Sequence, residues 1–235
     1  MEKKISIVLA TFNEVDFIEK AVNSVFENFK NVELIVVDDN STDKTIEKLN
    51  TLKNKFNFNL IIRKKAKGFA SAINRGIMFS TGDYIGYFDV NSPEQLFYFT
   101  KIIKALDEGN DIATLSRYVK GGGDKRIFLR RSSSWLINFV CRILLRVPVR
   151  DFSGGIFLFK REILDEVNII PYGHGEFFIE FIYDAVKKGF KVKEIPYIQS
   201  SDSLTNSKSN PNLLRFFYLG FLYFIRIFIT LLRRN

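Results

Sequence analysis

The feature that most constrains this chain is an alternation in its first half. Short apolar runs are each followed by a longer amphipathic stretch. Residues 5–10 (ISIVLA), 33–37 (ELIVV), 60–63 and 84–88 read as buried strands. Residues 15–29, 42–52 and 69–80 read as helices. In the first of these, Phe17, Ile18, Ala21, Val22, Val25 and Phe26 fall at helical spacing. Ser41 or Thr42 can cap the second helix, with Asp43 near its positive end. Strand–helix repeats of this kind predict an α/β fold with a mostly parallel central sheet and helices on both faces. Ligands bind such sheets at the carboxyl ends of the strands. Asn13-Glu14, Asp38-Asp39 and Asp89-Val90-Asn91 all stand at such ends, so three polar clusters should meet on one edge.

The second half is less regular. Residues 94–107 read as a helix and 111–116 as a strand, followed by a glycine-rich break at 120–124. Residues 126–146 form a basic amphipathic helix on which Arg131, Asn138, Arg142 and Arg146 share one stripe, at spacings that keep to one helical face. The turn DFSGG (151–155) precedes an apolar run at 156–159. A helix at 176–188 and a closing strand at 191–198 follow, and then a polar stretch at 200–210. There is no internal repeat.

Composition narrows the classes. With 46% hydrophobic and 26% charged residues, the chain of 235 is not disordered. Its one cysteine, Cys141, excludes an intramolecular disulfide and any Cys-based zinc site, and fits a reducing, cytosolic-side location. His174, the one histidine, lies between glycines in a loop and reads as structural. The N-terminus carries no apolar stretch of signal-peptide length. Lys and Arg outnumber Asp and Glu by 35 to 26, a net charge of +9. Such an excess suits nucleic acid or an anionic membrane. Here it tracks apolar helices and not an aromatic-lined groove, which argues against nucleic acid.

Two acidic clusters on one edge, with no matched lysine between them, are costly unless they hold a ligand or a cation. Asp89-x-Asn91 offers two oxygen ligands at alternate positions. Mg²⁺ or Mn²⁺ is commonly held in this way, by few protein oxygens and completed by phosphates.

Nine stretches in order carry a resemblance: LATFNE (9–14), ELIVVDDNSTDKT (33–45), KGFASAINRGI (67–77), STGDYIGYFD (80–89), PEQL (93–96), SRYVKGGG (116–123), VPVRDFSGGIFLFKREIL (147–164), GEFFIEFIYDAVKKGFKVKEIPY (175–197) and SK (207–208). Over about residues 5–208 the chain resembles the family 2 glycosyltransferases, and more narrowly the dolichyl- and polyprenyl-phosphate mannose and glucose synthases. The resemblance implies a GT-A fold over 1–210, with a nucleotide-binding half (1–118) and an acceptor half (119–210). It implies a nucleotide-diphospho-sugar donor, GDP-mannose or a UDP-hexose, and a polyprenyl or dolichyl phosphate acceptor. The reaction it implies is an inverting in-line displacement by the lipid phosphate, which needs no general base.

By the same resemblance, Ala10, Phe12, Glu14, Val36, Asp38, Asp39, Gly68, Asp89, Val90, Asn91, Arg117 and Lys208 bind the donor. Asp89 and Asn91 hold Mg²⁺ or Mn²⁺. Arg131, Ser153 and Glu176 take the acceptor, and Asp89, Asp151 and Arg131 serve catalysis. The chain departs from the family pattern at three places. Asn91 replaces the second motif Asp, the loop Ser92-Pro93-Glu94 is short and lacks the family's Gln ligand, and Asp202 stands near a phosphate-gripping Arg of the family.

Residues 211–235 read as a C-terminal hydrophobic helix. Arg215, Arg226 and Arg233 share one stripe on it. An Arg at mid-bilayer is costly, so the helix is expected to lie in the plane of the cytosolic membrane face with that stripe at the headgroups. Trp135 suggests a second interface helix at 126–146. Competing readings are a transferase with a glycan acceptor, a weakly catalytic scaffolding subunit, and a tail that serves as a core or dimer helix.

Overall fold

The structure, a computed structural model, describes residues 3–154, 156–201 and 213–233. Four parallel strands open the chain: β1 (Ile5–Thr11), β2 (Val32–Asp38), β3 (Asn59–Ile62) and β4 (Tyr84–Tyr87). Between them run α1 (Ile18–Asn28), α2 (Thr45–Leu52) and α3 (Phe69–Phe79). The remainder is α4 (Phe99–Asp107), β5 (Ile112–Ser116), β6 (Gly123–Asp124), α5 (Phe128–Leu145), β7 (Phe157–Lys160), α6 (Phe177–Lys187), β8 (Val192–Pro196), β9 (Ile198–Gln199) and α7 (Leu213–Leu232).

One seven-stranded sheet, in the order β3-β2-β1-β4-β7-β5-β8, spans both halves of the chain. All pairs are parallel except those of β7, which is antiparallel to β4 and to β5. Strand residues alternate between two cores. Val8, Ile35 and Val37 face α3, α5 and α6, while Ile7, Leu9, Leu34 and Val36 face α1, α2 and α4. The abundant phenylalanines fill the first core. Phe157 stacks on Phe178 at 4.7 Å and meets Tyr87 and Phe181 edge-on or tilted. Gly86 pairs with Leu158 across β4 and β7, and a Cβ there would lie 2.0 Å from Leu158 Cδ1, so only glycine allows this close approach.

Three expected elements are redrawn. The helix expected at 94–107 begins as a 3₁₀ turn, Pro93–Tyr98, before α4. The closing strand expected at 191–198 ends at Pro196, and Ile198–Gln199 instead pairs with β6, inside the break expected at 120–124. Asn138 leaves the expected basic stripe on α5. It is buried, where it donates to Ser134 O and Ser153 Oγ and accepts from Phe152 N. Arg146 lies past the helix end, at φ 52°.

The largest correction concerns α7. Arg226 points inward and not to headgroups, and Arg233, although its side chain is largely exposed, also reaches Glu180 on α6. Arg226 donates to Glu180 Oε2 at 2.9 Å and to Tyr172 O at 3.0 Å. Glu180 is only 1% exposed, and a buried carboxylate demands such partners. Ile227 and Thr230 are buried on the same side. The outward face is apolar instead, with Leu214, Phe217, Tyr218, Phe221, Phe228 and Leu232 all exposed at helical spacing. The side chain of Arg215 lies outside the described residues.

Candidate active site

The carboxyl ends of β1, β2 and β4 do bring the three predicted clusters to one edge. After β1, Asn13 adopts a left-handed conformation, φ 57°. Its N–H donates to Ser41 Oγ, and its side-chain oxygen accepts from Thr42 N. Glu14 is partly buried, and its N–H donates to Thr45 Oγ1 at 2.9 Å. Ala10 is the partly buried last-but-one residue of β1, and Phe12 is exposed beneath the Lys67 ammonium.

Asp38 closes its own turn, accepting from Ser41 N at 2.7 Å and Ser41 Oγ at 2.6 Å. Burial pushes its carboxyl above the usual range, against those two hydrogen bonds. Val36, fully buried in β2, supports this end from below. Asp39 reaches the other way. Arg63 Nε donates to its Oδ1 at 2.7 Å, and Gly68 N donates to its Oδ2 at 2.8 Å. Gly68 sits at φ 129°, a conformation glycine tolerates, and so aims its N–H back at Asp39. Arg63 also donates to Ser71 Oγ and Gly68 O, fastening β3 to the start of α3. Sequence reasoning missed Arg63, although it directly follows an apolar strand run.

Asp89 follows β4 and is partly buried. The buried Tyr87 hydroxyl donates to its Oδ1 at 3.0 Å. Burial raises the Asp89 carboxyl, while the Tyr87 hydrogen bond and the nearby His174 imidazole work against that rise. Val90 is buried and Asn91 exposed, and among the described residues the Asn91 side-chain oxygen accepts only a long contact, 3.3 Å, from Ser92 Oγ.

A second cluster lies beyond β5. Arg117 Nε and Nη2 clasp Asp151 Oδ2 and Oδ1 at 2.8 and 2.7 Å, with side chains 2% and 0% exposed. Burial alone would raise Asp151, but the Arg117 guanidinium holds it below the usual carboxylate range. Asp151 therefore spends its charge on Arg117 and presents no free oxygen to a substrate. Ser153 Oγ accepts from Arg117 Nη2 and Asn138 Nδ2 and lies 3.1 Å from Ser134 Oγ. Glu176 is buried at the start of α6, where its Oε2 accepts from His174 N.

Beside this cluster, α5 and α7 enclose a cavity of about 500 Å³. Arg126, Arg130, Ser134 and Ser153 line its polar end; Leu136, Phe216, Phe221 and Phe224 line its apolar walls. His174 lines it too, stacks on Phe69 at 4.9 Å and acts electrostatically on Asp89, so the cavity adjoins the Asp89 turn. Arg131, the arginine expected here, is exposed on the outside of α5 beside Phe128. Its neighbour Arg130 faces inward. The signal for Arg130 was present, since Arg130, Ser134 and Asn138 recur every fourth residue. Lys208 and Asp202 lie outside the described residues.

A mostly parallel sheet with acids at its carboxyl edge and an antiparallel β7 between β4 and β5 makes this an α/β fold of the GT-A class. The sequence model of glycosyl transferase family 2 matches residues 6–167, and the chain belongs to that family. It is 32% identical over 201 residues to a dolichol-phosphate mannosyltransferase of Pyrococcus furiosus, covering 83% of this chain. The match takes in 56% of that relative, so the chain spans little more than half its length. It is 28% identical to a polyprenol monophosphomannose synthase of Mycolicibacterium smegmatis, covering 89% of this chain and 82% of that protein. Among solved structures, glucosyl-3-phosphoglycerate synthase from Mycobacterium tuberculosis, in complex with Mn²⁺, UDP and phosphoglyceric acid, superposes with a TM-score of 0.74 at 17% identity. That superposition covers 97% of this chain and 78% of the synthase, and it concerns the fold.

Proposed function

We propose that the protein transfers a hexose from a nucleotide-diphospho-sugar to a polyprenyl phosphate at a membrane surface. One observation carries this reading: the cavity between α5 and α7 is lined both by the buried Arg130 and Ser134 and by apolar groups, of which Leu136, Phe217 and Phe221 are exposed. That suits a phosphate head on an isoprenoid chain. A soluble sugar acceptor has no use for the apolar walls.

The donor lies along the first edge. Phe12, Ala10, Glu14, Val36, Asp38, Asp39, Gly68 and Val90 shape its nucleotide end. Asp89 and Asn91 fit one Mg²⁺ or Mn²⁺. Asp89 Oδ2 takes no hydrogen bond among the described residues, and Asn91 offers an exposed carbonyl two residues on. Among the described residues there is no group of three His, Cys, Asp or Glu that could cage an ion, so donor phosphate oxygens and water would complete its shell. Bound there, the ion would neutralise charge on the leaving diphosphate.

On the acceptor side, Arg130 holds the lipid phosphate, with Ser134 and Ser153 beside it, while Arg126 is clasped by Asp124 at 2.9 and 2.6 Å. Arg117, locked by Asp151, fixes Ser153 in place and presents no guanidinium of its own to the donor. Glu176 sets the 172–176 loop, and Arg131 meets the surface of the bilayer. The acceptor phosphate is already ionised near neutral pH, so it attacks without a general base. The chain's part is to align the two phosphorylated substrates and exclude water.

The apolar faces of α5 and α7 supply the membrane contact. On α5, Trp135 and Phe139 stack at 5.1 Å and are exposed. No helix among the described residues is long and apolar enough to cross a membrane, and exposed apolar helix faces suit a seat in the plane of the membrane surface. The test uses Arg130→Met. Transfer to polyprenyl phosphate should fall about tenfold or more, from a lost charge-assisted hydrogen bond, with donor affinity intact. Normal transfer by this variant overturns the acceptor assignment.

A further inference from the structure

The metal motif of this chain has one carboxylate where two are usual in the resemblance drawn above, so the orientation of Asp89 carries more weight. Tyr87 and Asp89 are two residues apart at the end of β4, so their side chains emerge on the same face. The Tyr87 hydroxyl donates to Asp89 Oδ1 at 3.0 Å, and no other hydrogen bond to the Asp89 side chain occurs among the described residues.

Little freedom remains in the phenol. Tyr87 pairs with Val8 of β1 on one side and Phe157 of β7 on the other, in the middle of the sheet. Its ring meets Phe69 at 5.4 Å and Phe157 at 5.7 Å, both edge-on. Phe69 in turn stacks on His174, in the loop whose Tyr172 O takes a hydrogen bond from Arg226. The hydroxyl is thus a donor held by the rigid sheet and aimed at one oxygen of the carboxylate. Asn91 is exposed, and among the described residues its side-chain oxygen takes only a 3.3 Å contact from Ser92 Oγ.

We infer that Tyr87 is a positioning residue for the divalent cation: its hydroxyl fixes the Asp89 carboxylate through Oδ1 and turns Oδ2 toward the ion. Outer partners that orient a ligating carboxylate commonly govern metal affinity by about 10–100-fold. The inference rests on the reading of Asp89 as the metal ligand. It adds a residue whose ring belongs to the core and whose single oxygen belongs to the site.

The experiment compares Tyr87→Phe with Asp89→Ala in the full chain. Tyr87→Phe removes one oxygen and keeps the ring packing. Mn²⁺ binding is followed by the electron paramagnetic resonance signal of the free ion, with UDP or GDP present, and nucleotide binding in EDTA is measured by calorimetry. Tyr87→Phe should weaken Mn²⁺ binding about tenfold, leave metal-free nucleotide binding unchanged and barely move the melting temperature. Raising Mn²⁺ should restore its transfer rate, because affinity and not chemistry is impaired. If Asp89→Ala weakens Mn²⁺ binding and Tyr87→Phe does not, the inference fails and the metal assignment stands. If Asp89→Ala leaves Mn²⁺ binding unchanged, the metal assignment fails and takes the inference with it.

Discussion

Replacing Asp151 by Asn tests whether the Arg117–Asp151 pair is framework or chemistry. The substitution keeps the shape of the side chain and removes its charge. It leaves Arg117, whose side chain is 2% exposed, with only the more distant Asp124 at 3.7 Å as a carboxylate partner among the described residues. Removing one member of a buried ion pair costs about 3–5 kcal/mol. Asp124 offsets part of this, so about 3 kcal/mol is expected. For a chain of this size that is a fall of about 6–12 °C in melting temperature. Urea unfolding followed by circular dichroism gives the free energy directly.

The pH dependence supplies a second readout. Asp151 is held below its ordinary value in the folded state. Between that lowered value and about pH 4, the unfolded chain binds the proton and the folded chain does not, so stability rises with pH. The stabilisation is complete above that window and is lost as pH falls through it. The gap between wild type and Asp151→Asn should therefore narrow in acid. A loss below about 1 kcal/mol, or a variant of full stability with abolished transfer, would refute this account and return Asp151 to the chemistry.

Three further outcomes are expected. Asp38→Ala, which removes both hydrogen bonds from Ser41, should open the turn after β2 and weaken nucleotide affinity by about tenfold or more, read by calorimetry. Phe217→Ser with Phe221→Ser should release the protein from anionic liposomes in flotation, since each buried Phe is worth about 1.5–3 kcal/mol, and should spare its stability because both rings are exposed. Gly86→Ala should destabilise by about 1–3 kcal/mol, since its Cβ would collide with Leu158, and a variant as stable as wild type would show that β4 and β7 can separate there.

Much of the candidate site's placement was legible because strand ends are local features. A run such as ELIVV declares a buried strand, and whatever follows it must stand at the sheet edge. Asp38, Asp39 and Asp89 were therefore found without any knowledge of their neighbours. What each carboxylate does there was not legible. Asp38 turns to Ser41, Asp39 to Arg63 and Asp151 to Arg117, over separations of 3, 24 and 34 residues. Only the first lies within reach of a sequence window.

The same division runs through the helices. Periodicity established that α5 and α7 are amphipathic, but it did not say which side meets protein. On α7 the arginine stripe looked outward-bound by its charge, yet the buried Glu180 on α6 claims two of those arginines, and the aromatic side is left to face out. On α5, Arg130 and Arg131 are adjacent and alike in composition. Packing against Ser153 and α7 turns one into the cavity and the other to the surface. Likewise the antiparallel β7, inserted between β4 and β5, has no local signature, because a strand's direction is set by the path of the chain and not by its side chains. By itself, the sequence determined the alternation, the parallel core and the acids at its edge, since these follow from spacing along the chain. Tertiary structure alone decided which charge neutralises which, because a buried charge takes whatever partner the fold brings within reach.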